Sequence, residues 1–113
     1  MHELALAEGV REIVEDTARR NGAQRVSAVQ LEIGMLSHVE PDALRFCFDA
    51  VMRGSLAEGA SLAIARTPGE AWCMPCGKAV ALARIGDACP CCGSHQLAVT
   101  RGDAMRVVDI EIH

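Results

Sequence analysis

Two Cys-x-x-Cys-Gly turns constrain this chain more than any other feature. The first is Cys73-Met74-Pro75-Cys76-Gly77 and the second is Cys89-Pro90-Cys91-Cys92-Gly93, with twelve residues between Cys76 and Cys89. A Cys-x-x-Cys turn sets two thiolates on one side of a tight bend, so two of them supply the four corners of a tetrahedral zinc site. The glycine after each second cysteine lets the backbone turn sharply and aim N–H groups at sulfur. Twelve residues are enough for a hairpin, although slightly fewer than is usual for this pattern. Four protein thiolates leave no open coordination position. The expected ion is therefore a structural Zn(2+), held by Cys73, Cys76, Cys89 and Cys92. One Cys-x-x-Cys would equally suit a redox pair; two matched turns in a segment with little core favour metal. Cys91 lies between Cys89 and Cys92 and could replace either, but Cys89 and Cys92 are the pair that repeats the first turn.

The rest of the chain predicts an α+β fold: a small three-stranded sheet with two helices, plus the cysteine segment as an inserted zinc-ribbon-like module. Aromatic residues are limited to Trp72, Phe46 and Phe48, so the core must be aliphatic. Residues 3–21 read as a helix whose apolar stripe is Leu6, Val10, Ile13, Val14 and Thr17. Glu15/Arg19 and Asp16/Arg20 pair at helical spacing, and Asn21-Gly22 is a stop signal. Residues 25–34 alternate as a strand, with Val29, Leu31 and Ile33 on the inner face. Pro41 opens a second helix with Leu44, Cys47, Phe48 and Val51 inward, and Glu40 is expected to interact with N–H groups at its start. Ser61–Thr67 is a second strand, with Leu62 and Ile64 inward and Pro68-Gly69 as its turn. Residues 106–112 form the last strand, with Val108, Ile110 and Ile112 toward the core. These elements divide the chain into an α+β domain, residues 1–69 and 103–113, and an inserted module, residues 70–102. The module is too short to build a large core of its own and needs a staple.

Several functions are excluded or disfavoured. A net charge of -4 does not suit a general nucleic-acid binder. No apolar run reaches the ~20 residues that cross a bilayer, and the start lacks the pattern of a secretory signal, so a cytoplasmic protein without membrane association is expected. No nucleophile–base set or phosphate-cradling loop is present, so the chain is not expected to be an enzyme. Cys47 reads as a core residue. His113, as the final residue, is expected to be mobile.

Met1-His2-Glu3 adds a second chemistry. A free α-amine, the amide nitrogen of residue 2 and the His2 imidazole can chelate one ion in adjoining five- and six-membered rings, a nitrogen-rich set that suits Ni(II) or Cu(II). On spacing alone, the plainer reading is a solvated terminal histidine. Along essentially its whole length, however, the chain resembles the HypA/HybF family of hydrogenase maturation proteins. The resemblance rests on Met1-His2-Glu3, Leu31-Glu32-Ile33-Gly34, Val39-Glu40-Pro41-Asp42-Ala43-Leu44, the two cysteine turns, and Gly102-Asp103-Ala104-Met105-Arg106-Val107.

That resemblance implies a nickel metallochaperone in which His2 is the essential Ni(2+) ligand, with the Met1 amine and Glu3 as neighbours and the four cysteines as zinc ligands. It implies a HypB-type GTPase and a [NiFe] hydrogenase large subunit as partners, with urease as a further client in some relatives. A monomer or a homodimer would fit equally. Histidines that follow the cysteine turns closely in some relatives are replaced here by Lys78 near the first turn and by His95 three residues beyond Cys92, which leaves ligand exchange at zinc doubtful at the first turn. The competing reading is a zinc-ribbon adaptor for protein or nucleic acid without nickel transfer.

Overall fold

A computed structural model describes residues 2–113, and its chain divides into two compact units. The first runs up to Leu31 and adds Val39–Ala65 and Arg106–His113; the second is Glu32–His38 with Arg66–Met105. The second unit thus extends beyond residues 70–102 at both ends and also takes in a piece of the loop before Pro41.

In the first unit, α1 (His2–Arg20) and α2 (Pro41–Met52) pack side by side. They run parallel. The Glu3 carboxylate reaches the Glu40 amide at the start of α2, and Arg11 Nη1 donates to the Val51 carbonyl near its end at 2.9 Å. Strand β1 (Val26–Gly34) returns the chain between the two helices. A Schellman pattern closes α1: Ala23 N–H donates to Ala18 O at 2.9 Å and Gly22 N–H to Arg19 O at 3.0 Å. The Glu15–Arg19 and Asp16–Arg20 pairs both form, at 3.7 Å and 2.9 Å.

The buried arc of α1 differs from the predicted stripe. Ala7, Val10, Val14 and Ala18 are buried, whereas Ile13 is 52% exposed. The period is helical in both cases, but the buried arc runs through small alanines and leaves Ile13 outside it. On α2 the buried residues are Leu44, Cys47, Phe48 and Met52, and Val51 is half-buried at the margin.

Strands β2 (Ser61–Thr67), β1 and β6 (Met105–Ile112) form one sheet in the order β2-β1-β6. Met35 N–H donates to Thr67 O at 2.9 Å, which brings the ends of β1 and β2 together and makes them parallel; α2 provides the crossover that such a pair requires. β1 and β6 are antiparallel: Arg25 exchanges hydrogen bonds with His113, and Gly34 N–H donates to Ala104 O. The backbone of His113 is therefore tied into the sheet, contrary to the mobile end expected of it. Val29, Leu31 and Ile33 are buried as the alternation predicted. β6 departs from prediction. Ile110 is half-buried, but Val108 is 43% and Ile112 36% exposed, while Met105 and Val107 share the partial burial. As an edge strand of a three-stranded sheet, β6 has a neighbour on one side only, and its alternation breaks between Val107 and Ile110.

Three glycines meet in the second unit where the chain passes from strand to loop. A Cβ on Gly34 would collide with the backbone carbonyl of Gly102 and lie 2.9 Å from the Asp103 nitrogen. Backbone cannot rotate away as a side chain can. Gly34→Ala is expected to lower stability by about 3 kcal/mol. Gly9→Ala, where a Cβ meets nothing within 4 Å on α1, should raise it by about 0.5–1 kcal/mol. Urea midpoints of the two variants test the contrast; equal shifts would contradict the close backbone crossing.

Candidate metal centre

The second unit is built on the sheet β4-β3-β5, comprising β3 (Glu70–Cys73), β4 (Lys78–Ala81) and β5 (Leu97–Arg101). β3 and β4 form an antiparallel hairpin whose last pair is Cys73 with Lys78, so the first cysteine turn is the hairpin loop itself. The sheet alternates: Ala71, Cys73 and Val80 are buried, while Trp72, flanked across the strands by Ala79 and Ala98, is 43% exposed. The apolar clusters are small. Leu36, Ala71 and Leu82 form one; Cys73, Val80 and Cys89 form the other, with Cys76 and Leu97 packed against it. Cysteine side chains are thus part of what little core the unit has.

The two turns repeat one geometry. Gly77 N–H donates to Cys73 O at 2.8 Å, and Gly93 N–H donates to Cys89 O at 2.9 Å. Both glycines have positive φ, +63° and +77°, a conformation that costs glycine little. Cys91 N–H points at Cys89 Sγ at 3.4 Å.

The Sγ atoms of Cys73, Cys76, Cys89 and Cys92 all lie within 4.8 Å of one another. Cys73 and Cys92 are 3.6 Å apart and Cys76 and Cys89 3.9 Å apart. Four sulfurs at about 2.3 Å from a tetrahedral ion would be separated by about 3.8 Å, so the donors fit such an ion in both kind and spacing. All six cysteines are free thiols. Cys91 is exposed and outside the four-sulfur group; Cys47 is buried on α2. Among the described residues, no other group of three or more histidines, cysteines and acids comes this close together.

Crowding splits the thiols. The N–H of Cys92, helped by that of Cys91, draws the Cys89 thiol down to about 6. Contacts with the Cys92 and Cys73 sulfurs push Cys76 up to about 12.

His2 opens α1 and is 59% exposed, with Nδ1 3.6 Å from Glu3 Oε2. Its amide is among the first four of the helix, which have no intrahelical acceptor. The Met1 amine lies outside the described residues. His38 and His95 are both exposed. Glu40 occupies the N-cap of α2, but its side chain makes no capping hydrogen bond. The carboxylate there comes from Glu3, whose Oε2 accepts the Glu40 N–H at 3.4 Å. Helical periodicity had no means of revealing that contact, because it joins residues 37 apart.

Residues 1–112 match the family model described as "Hydrogenase/urease nickel incorporation, metallochaperone, hypA". The chain belongs to the HypA family. It is 57% identical over 112 residues to the hydrogenase maturation factor HypA of Dechloromonas aromatica, covering 99% of each chain. It is 53% identical to that of Rhizobium leguminosarum bv. viciae, again over 99% of both. The fold of HypA recurs in solved structures. The solution structure of the Ni metallochaperone HypA from Helicobacter pylori superposes with a TM-score of 0.73 at 22% identity, covering 97% of this chain and 96% of that one. A second HypA solution structure gives 0.75 at 24% identity, covering 100% and 97%. HypA proteins are hydrogenase maturation factors of a nickel metallochaperone family, and this member has the family's mixed α+β fold and a four-cysteine cluster able to hold a metal. No helix among the described residues is long and apolar enough to cross a membrane.

Proposed function

We propose that this chain delivers Ni(II) during maturation of a [NiFe] hydrogenase. In this reading His2, with the Met1 amine, takes up nickel, and Cys73, Cys76, Cys89 and Cys92 hold a structural zinc ion. Residues 1–69 with 103–113 act as the nickel-binding domain and residues 70–102 as the zinc module. The observation that carries it is the contrast between the two sets of donors. The four sulfurs form a closed, partly buried set with tetrahedral spacing. His2 is exposed at the very start of α1.

That contrast suits opposite tasks. A closed four-thiolate set retains its ion and fixes the fold of its unit. An open terminal site can capture an ion and pass it on. Nitrogen donors must be deprotonated to bind, so nickel binding weakens as pH falls. The chain carries no catalysis in this scheme. A cytoplasmic GTPase of the HypB type and the hydrogenase large subunit are its partners.

Cells in which this chain carries His2→Ala are expected to yield hydrogenase large subunit with little nickel, measured by elemental analysis of the purified subunit. Wild-type nickel content would contradict the proposal.

A further inference from the structure

We propose that the Glu3 side chain is a positioning residue: it caps α2 from α1, and thereby fixes His2 beside the start of α2, without coordinating the metal. Three observations converge. Glu40, the N-cap residue of α2, has extended backbone at φ -88° and ψ 113°, as N-caps do, yet its own side chain makes no capping hydrogen bond. Glu3 Oε2 accepts the Glu40 N–H at 3.4 Å, which joins the first turn of α1 to the first turn of α2. The same oxygen lies 3.6 Å from His2 Nδ1, and the Glu3 side chain is only 20% exposed against 59% for His2.

The electrostatics agree. α1 and α2 are parallel, so their N-terminal ends, each with unpaired N–H groups and partial positive charge, lie together. A carboxylate between two such ends is favourably placed. An oxygen engaged with the α2 amide is committed to the protein. By tying the first turn of α1 to the start of α2 it fixes the backbone that carries His2; an ion taken up by Nδ1 would replace the Nδ1 contact with this oxygen.

The consequence for nickel rests on the reading of His2 as its ligand; the cap does not. Glu3→Gln keeps a carbonyl oxygen able to accept the Glu40 N–H, whereas Glu3→Ala removes the acceptor but retains a residue that favours helix in α1. Hydrogen exchange across residues 40–44 should quicken about fivefold in Glu3→Ala, the factor expected for loss of a helix cap, and stay near wild type in Glu3→Gln. Nickel affinity should follow the same order, reduced in Glu3→Ala and largely kept in Glu3→Gln. Equal loss of affinity in the two variants would make Glu3 a direct ligand and overturn the proposal, as would unchanged exchange in Glu3→Ala. His2→Ala separates the two levels. Should it bind nickel as wild type does, the nickel reading fails, while the exchange contrast still decides the cap.

Discussion

Cys73→Ser is expected to release the zinc ion and unfold the second unit, whereas Cys91→Ser should retain one zinc per chain. The large effect follows from how little else holds residues 66–105 together. Their apolar clusters are small, and Cys73, fully buried, is a member of one of them. Binding of zinc to a four-ligand module contributes about 10–16 kcal/mol of apparent free energy, as much as a whole domain's usual stability of about 5–15 kcal/mol. Serine removes a thiolate ligand and leaves a hydroxyl in an apolar pocket, so both the ion and the packing suffer. Cys91 is exposed and outside the four-sulfur group. Zinc content by elemental analysis reads the metal. The emission of Trp72, the only tryptophan, in the middle of β3, reads the fold. The helical signal should persist, because α1 and α2 belong to the other unit. Full zinc content in Cys73→Ser, or zinc loss in Cys91→Ser, would refute the assignment of ligands.

His2→Ala is expected to weaken nickel binding by more than about a hundredfold without changing zinc content. Removing a group that merely supports a ligand already costs about 10–100-fold in metal affinity, and removing a ligand should cost more. The substitution should do little else. His2 is 59% exposed, it pairs with Glu3, and alanine suits the first turn of a helix. Competition dialysis against a nickel chelator on zinc-loaded protein gives the ratio directly. A ratio near one would remove His2 from the site.

The parts of this molecule that were legible in the sequence are those in which chemistry and spacing coincide. Two cysteine turns, each followed by glycine, announce a four-sulfur group because each turn sets two thiols on one side of a tight bend. Choosing Cys92 over Cys91 followed from matching the second turn to the first, and Cys92 is the residue the fold brings into the group. Alternation from Val29 to Ile33 placed the central strand, since only the middle strand of a small sheet is flanked on both sides.

Faces at the margins were not legible. Ile13 fits the helical period as well as Ala7 does, and hydrophobicity does not say that the buried arc of α1 runs through alanines. Val108 and Ile112 alternate correctly but lie on an edge strand that nothing covers completely. The sequence offers Glu40 as the group at the start of α2 and Glu3 only as a neighbour of His2. Their contact depends on the helices being parallel, which a one-dimensional pattern does not encode.

The most direct test of the central claim is a nickel titration of zinc-loaded protein carrying one extra residue before Met1. The addition moves the free amine away from the His2 chelate and leaves every side chain intact. The expected result is loss of the nickel site with zinc still at one per chain and unchanged Trp72 emission. One nickel bound with wild-type affinity would show that the metal is held elsewhere.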